Sequence, residues 1–329
     1  MNKKNWLILF LACTIALTSF NSCKKSDDTD SNTDTGPAEW FKTSAFDGDP
    51  RSAAAYFSIG DNGFITTGIL RTNERVKDTW LFDSKKGSWS KKADFIGDAR
   101  NAAVGFAING VGFVGTGYNG TDALNDFYKY DSATDKWTAI APLPGEARYG
   151  AVAFSLGGFG YVGLGSTKAE KTLKDFYKYD PATNTWTSVG TIFANKRVNA
   201  FSFVIGNTAY VGGGFDNNSF PEDFYKFDGT TWTRLKDIKT DDIDVTRQSA
   251  SAFTVGQTAF VVGGKKSSIL NSTWRYNPSS DSWESKHQAF QGSAREGAAA
   301  FSVNGKGYIT TGANGTFKFD DTWEFIPVR

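Results

Sequence analysis

Six arginines recur along the chain, Arg51, Arg100, Arg148, Arg197, Arg247 and Arg295, at spacings of 49, 48, 49, 50 and 48 residues. A guanidinium carries five donors in a fixed fork, so several brought to one place can grip an anion or a carboxylate. A plainer use is also open. Acids recur in step with them, Asp78, Asp126, Asp175, Asp223 and Asp321, and an arginine in every repeat is most simply the partner of an acid in every repeat. In the fifth repeat Ser272 takes the acid's place, which leaves Arg247 the least certain of the six. Other reactive side chains are scarce. Histidine occurs once, as His287, and cysteine twice, as Cys13 and Cys23 near the N-terminus. The body of the chain therefore has no thiol nucleophile and no disulfide. A lone histidine just after Trp283 argues against a zinc hydrolase.

Specificity is expected where the repeat is broken. Directly after the arginines come Ser52, Asn101, Tyr149, Val198, Gln248 and Glu296. A glycine lies seventeen residues after each arginine, and directly after it come Ile69, Tyr118, Ser166, Phe215, Lys265 and Ala313. Asn199 stands where the other repeats have Ala, Gly or Ser. From these positions the candidate ligand-binding residues are Asn101, Tyr118, Tyr149 and Asn199, together with Phe215, Gln248, Lys265 and Glu296. Aromatic faces mixed with polar groups suit a carbohydrate or a peptide. Each residue taken singly also reads as ordinary exposed loop. Asp237, Asp241, Asp242 and Asp244 crowd the longest excursion between repeats, but without the glycine and terminal glutamate of an EF-hand loop they are a weak calcium signal.

The elements that must hold these positions follow from the same register. Ala lies three residues after each arginine (Ala54, Ala103, Ala151, Ala200, Ala250, Ala298), and Phe six after (Phe57, Phe106, Phe154, Phe203, Phe253, Phe301). Each repeat reads as four strands. Strand a is small and follows the arginine. Strand b is apolar and ends at the glycine. Strand c carries alternating aromatics such as Tyr128 and Tyr130, and strand d carries one tryptophan (Trp89, Trp137, Trp186, Trp232, Trp283). The aromatic pairs and tryptophans are expected to be core between the sheets. Repeat six ends without its tryptophan strand. Trp40 precedes Arg51 by the same 11 residues that separate Trp89 from Arg100. Residues 39–46 are thus expected to complete the last sheet and close a ring, which hides the strand edges an open array would expose.

A period near 50 residues, the glycine pairs Gly213-Gly214 and Gly263-Gly264, and the turn Asp180-Pro181-Ala182-Thr183-Asn184-Thr185-Trp186 resemble the kelch family across residues 38–329. Thr67, Thr116, Leu164 and Thr311 replace the first glycine elsewhere. The resemblance implies an all-β, six-bladed propeller, monomeric, with ligand contacts at the mouth where strand a begins. Function must still be argued from the site. Kelch copper oxidases need histidine ligands and a tyrosine–cysteine crosslink, and one histidine with no propeller cysteine excludes them. Kelch sialate mutarotases work without a metal or other cofactor, using acid–base side chains, and Glu296 beside Arg295 suits that chemistry. The favoured expectation is a binding module for a glycan or an envelope protein, with the mutarotase-like enzyme as the alternative.

The N-terminus gives an address. Lys3 and Lys4 precede an apolar run from Trp6 to Phe20, shorter than the roughly 20 residues of a membrane-spanning helix. The segment Phe20-Asn21-Ser22-Cys23 resembles a lipoprotein signal, with residues 1–22 removed and a lipid on Cys23; Phe20 departs from the usual leucine. Residues 23–37 hold no apolar residue able to join a core and read as a tether, whose Lys and Asp run resembles the surface-export signal of Bacteroidetes lipoproteins. An outer-membrane lipoprotein, held by its lipid and possessing a surface-exposed domain, is expected. Losing residues 1–22 removes Lys3 and Lys4 and no acid, which turns a formal charge of +1 into −1. A near-neutral domain offers no long-range field for nucleic acid.

Overall fold

The computed structural model describes residues 39–285 and 288–327; the leader, Cys23, the tether and His287 lie outside them. Six four-stranded antiparallel sheets are arranged as the blades of a propeller. Blade 1 is built from Ala55–Ile59, Asn62–Thr66, Thr79–Asp83 and Ser88–Lys92, in the order a to d. The next four blades repeat that order, with inner strands Val104–Ile108, Val152–Leu156, Phe201–Ile205 and Ser251–Val255. Blade 6 consists of Ala299–Val303, Lys306–Thr310, Asp321–Ile326 and, as its outermost strand, Glu39–Ala45.

The closing strand copies the register of the other blades. Trp40 lies opposite Phe325, as Trp89 lies opposite Phe82, Trp137 opposite Tyr130 and Trp186 opposite Tyr179. Trp40 is buried, with its ring edge-on to Phe253 and Phe290. The expected closure by residues 39–46 is therefore what the sheet order contains.

At four of the six seams a phenylalanine of one blade inserts into a gap left by a missing side chain in the next. Phe57 of blade 1 lies over Gly112 of blade 2, where an added methyl would stand 2.3 Å from its ring. Phe106 meets Gly160 in the same way, Phe253 meets Gly307, and Phe301 meets Gly63 across the closure. The glycine is thus set by close approach of the neighbouring ring, the condition under which Gly is preferred inside a strand.

The strand-c aromatics divide their work. The second of each pair (Phe82, Tyr130, Tyr179, Phe227, Tyr276, Phe325) is buried between blades as expected. In the blades that carry the acid, the first is turned toward it: Trp80 Nε1 donates to Asp78 at 2.6 Å, Tyr128 Oη to Asp126 at 3.0 Å, and Trp323 Nε1 to Asp321 at 2.7 Å.

Candidate functional site

The arginines are spent within their own blades. Arg148 illustrates the pattern. Its Nη1 and Nη2 donate to the two carboxylate oxygens of Asp175 at 2.7 and 2.8 Å, its Nη1 also to the Leu164 carbonyl at 3.1 Å, and its Nε to the Glu146 carbonyl at 2.9 Å. Arg51, Arg100 and Arg295 repeat the fork on Asp78, Asp126 and Asp321. Arg197 holds Asp223 by one oxygen. All six are buried. The carbonyl each one grips belongs to the first residue of the glycine pair, and that residue has positive φ in every blade, 65° at Thr67 and 60° at Leu164 included. The kelch glycine pair therefore exists to turn a carbonyl onto the arginine; threonine and leucine hold the same strained backbone because the arginine locks it. Burial alone would raise the carboxyls of Asp78, Asp175, Asp223 and Asp321, but the arginine partners outweigh it and hold them below the usual range. Of the two uses open to the arginine set, the structural one holds. Arg247 is the exception. It has Ser272 Oγ at 2.9 Å and three backbone carbonyls, but no carboxylate.

Just past each arginine the chain turns across the channel. Ala53, Ala102, Gly150, Asn199, Ser249 and Gly297 all have φ between 51° and 60°. Each donates its N–H to the carbonyl of its predecessor in the ring: Ala102 to Ala53, Gly150 to Ala102, Asn199 to Gly150, Ser249 to Asn199, Gly297 to Ser249, and Ala53 to Gly297, all at 2.8–2.9 Å. This closed cycle of backbone bonds frames one mouth of the channel.

Around that frame the two classes of repeat-breaking residue meet. Asn101 pairs with Tyr118, Tyr149 with Ser166, Val198 with Phe215, Gln248 with Lys265 and Glu296 with Ala313, each as an isolated antiparallel bridge. Side chains link further. Tyr118 and Tyr149 are 5.8 Å apart between ring centroids and tilted by 54°. Asn199 Nδ2 donates to Gln248 Oε1 at 3.4 Å. Lys265 Nζ is 3.9 Å from Glu296 Oε1. Phe215 stands apart from the other seven side chains and packs on Phe220.

Three further residues complete this rim, and the repeat comparison had passed over them because they sit in b–c loops of unequal length. Arg75 donates from Nε to Asn101 Oδ1 at 2.8 Å, and its guanidinium lies 5.1 Å over the Tyr118 ring. Lys318 Nζ donates to Ser52 Oγ at 2.8 Å; burial pulls its ammonium pKa down while Glu296 opposes the shift. Phe317, at the tip of the same hairpin, is 54% exposed. Two of the four acids of the excursion are already paired: Asp237 accepts from Arg234 at 2.7 Å, and Asp244 from Thr246 and Lys266.

A fully closed ring of four-stranded blades, a buried arginine clamp in each, and a variable polar rim at one mouth define a propeller. The chain belongs to the kelch-repeat family: the KLHDC2/KLHL20/DRC7 Kelch-repeats domain matches residues 161–329, and the Kelch motif matches residues 117–144. Among solved structures it is similar to that of YjhT, with a TM-score of 0.73 and 16% identity over 85% of this chain and 95% of the other. At that identity the likeness speaks for the fold. No curated protein matches this chain in sequence.

Proposed function

We propose that the domain is a cell-envelope lipoprotein whose rim binds an acidic glycan. The observation that carries the reading is the set of cationic donors on the rim. Arg75, Lys265 and Lys318 contact Asn101, Glu296 and Ser52 of the rim, with the Arg75 guanidinium over Tyr118 of the Tyr118–Tyr149 pair. The lysine donors are largely unspent: Lys265 has an ion-pair contact at 3.9 Å and Lys318 one hydrogen bond. Cationic donors next to aromatic faces suit a sugar ring that carries a carboxylate. A partner protein of the envelope would meet the same rim through its acidic side chains.

Titration of wild type with carboxylated and neutral oligosaccharides tests it. A Tyr118→Ala/Phe215→Ala variant and a Lys265→Ala/Lys318→Ala variant should each lose at least about tenfold in affinity for the carboxylated sugar, a change of about 1.4 kcal/mol. Equal affinity for neutral and carboxylated sugars, or no effect of either variant, refutes the reading. Glu296, between two lysines, supports a second reading as the acid–base group of a metal-free mutarotase-like enzyme. One-dimensional NMR of anomer exchange, with Glu296→Gln as control, decides it. The address is tested by labelled-lipid incorporation that Cys23→Ser abolishes, and by protease shaving of intact cells; a propeller spared by protease does not face outward.

A further inference from the structure

The channel behind the frame breaks its own repeat once. Five residues after each arginine, strand a presents Gly105, Ala153, Ser202, Ala252 and Ala300, but blade 1 presents Tyr56. Three consecutive spaces along the axis all touch this tyrosine. The first, of about 110 Å³, lies under the frame against Ala54, Ala103 and Ala151. The second, of about 150 Å³, is bounded by blades 1 to 5 at the level of Gly105, Ala153 and Ser202. The third, of about 380 Å³, is a vestibule toward the far end of the inner strands, with Ser58, Ser155, Thr254 and Ser302 in its wall. None of the described residues lining the three carries a charge.

Tyr56 is enclosed by protein, which raises its phenol pKa, yet it keeps some contact with solvent because the channel is open. No described residue forms a hydrogen bond with its hydroxyl. A tyrosine in a confined site normally finds such a partner. Small residues line most of the two inner spaces, and the vestibule wall adds phenylalanines such as Phe57 and Phe301. The polar groups of the wall include the channel edges of the inner strands and the hydroxyls of Ser155, Ser202 and Thr254, of which the last two already donate to the Ala153 and Val204 carbonyls and have lone pairs left to accept. A charged ligand would leave water here with no counter-ion to meet it. A neutral ring with several hydroxyls would stack on the aromatic face and exchange hydrogen bonds with the wall. The vestibule, at about 380 Å³, has the size of a small-molecule pocket, and Tyr56 stands in its wall.

We infer that the channel holds a second binding site, for an uncharged monosaccharide, with Tyr56 as its platform and hydroxyl partner. It is separate from the rim and chemically unlike it, since the rim is charged and the channel is not.

Ligand-observed saturation-transfer NMR on the full chain, with glucose, galactose, mannose and N-acetylglucosamine as probes, tests this. Wild type should give signals with at least one probe, and these should vanish in Tyr56→Ala. Tyr56→Phe, which keeps the ring and loses the hydroxyl, should weaken binding on the order of tenfold and preserve the thermal midpoint. Lys265→Ala/Lys318→Ala should bind these neutral probes as wild type does. The inference is overturned if no probe binds, if Tyr56→Ala binds unchanged, or if the lysine variant alone loses binding. That last outcome would move neutral sugars to the rim. A lower midpoint in Tyr56→Ala without sugar binding by wild type would make the tyrosine a plug that only fills space.

Discussion

The backbone N–H of Gly312 donates to the carbonyl of Arg51 at 2.8 Å. The same bond joins Gly68 to Arg100, Gly117 to Arg148, Gly165 to Arg197, Gly214 to Arg247 and Gly264 to Arg295. The last blade is thus latched to the first by the bond that joins every other pair, and the closing strand Glu39–Ala45 secures the joint from outside.

Trp40→Ala should therefore act on the whole domain. Emptying a buried indole site costs about 3–5 kcal/mol, and here the loss falls on the pairing that completes the last blade with residues far apart in sequence. Deleting residues 38–46 should cost more. Thermal unfolding monitored by tryptophan fluorescence reads both, and an unchanged midpoint would contradict the closure.

The clamps make opposite predictions in two blades. Asp223→Ala leaves the buried Arg197 without its carboxylate, where Asp223 itself is 3% exposed, and should destabilise by about 3–5 kcal/mol. Ser272→Asp gives Arg247 the partner it lacks and should stabilise by about 1.5 kcal/mol, the low end of the range for hydrogen bonds to charged groups. Urea denaturation of the two variants should move in opposite directions; a loss of stability in Ser272→Asp would mean that blade 5 has repacked around the serine.

The stacking of Phe57 on Gly112 sets a steric limit. Gly112→Val should destabilise by about 1–3 kcal/mol or more through overpacking, since even a methyl would lie 2.3 Å from the ring. A second change, Phe57→Ala, should relieve the clash, so the double variant should be more stable than the two single effects added. Simple additivity in a double-mutant cycle would disprove the contact.

Acid should loosen the clamps. Against the opposing effect of burial, their arginine partners hold Asp78, Asp175, Asp223 and Asp321 below the usual carboxylate range. A carboxyl with a depressed folded pKa contributes stability above its unfolded value and loses it as pH falls through the folded one. The urea midpoint should be steady from about pH 7 to about pH 5 and should fall below about pH 4. A midpoint that holds at about pH 3 would show that the carboxylates contribute little.

Much of the scaffold was readable in the sequence because it repeats. Arg148 with Asp175, Phe106 six residues after Arg100, and Trp40 at the spacing of Trp89 each gain meaning from repetition: five arginine–acid pairs 26 or 27 residues apart, a phenylalanine six after all six arginines, and a tryptophan 11 before four of them. The rim was half readable. Asn101 and Tyr118 were found as departures from the repeat, and they do meet in a bridge. Arg75 and Lys318 were not found, because loop length shifts them out of register and only the folded hairpins bring them to Asn101 and Ser52. Tyr56 was in register and was still missed. Its departure lies within a strand, where a tyrosine looks like core until the channel is seen. The opposite holds for Trp80 and Tyr128, which read as core and turn out to brace the acids of the clamps.

The direction of the closing strand has one more consequence. Glu39 lies opposite Ile326 and Ala45 opposite Asp321, so the strand climbs toward the arginine end from the far side of the disc. Glu39 and Ile326 both lie on the outer strands of blade 6, at the end away from Asp321. The chain thus enters the last blade at the end of the propeller opposite both the arginine clamps and the variable rim.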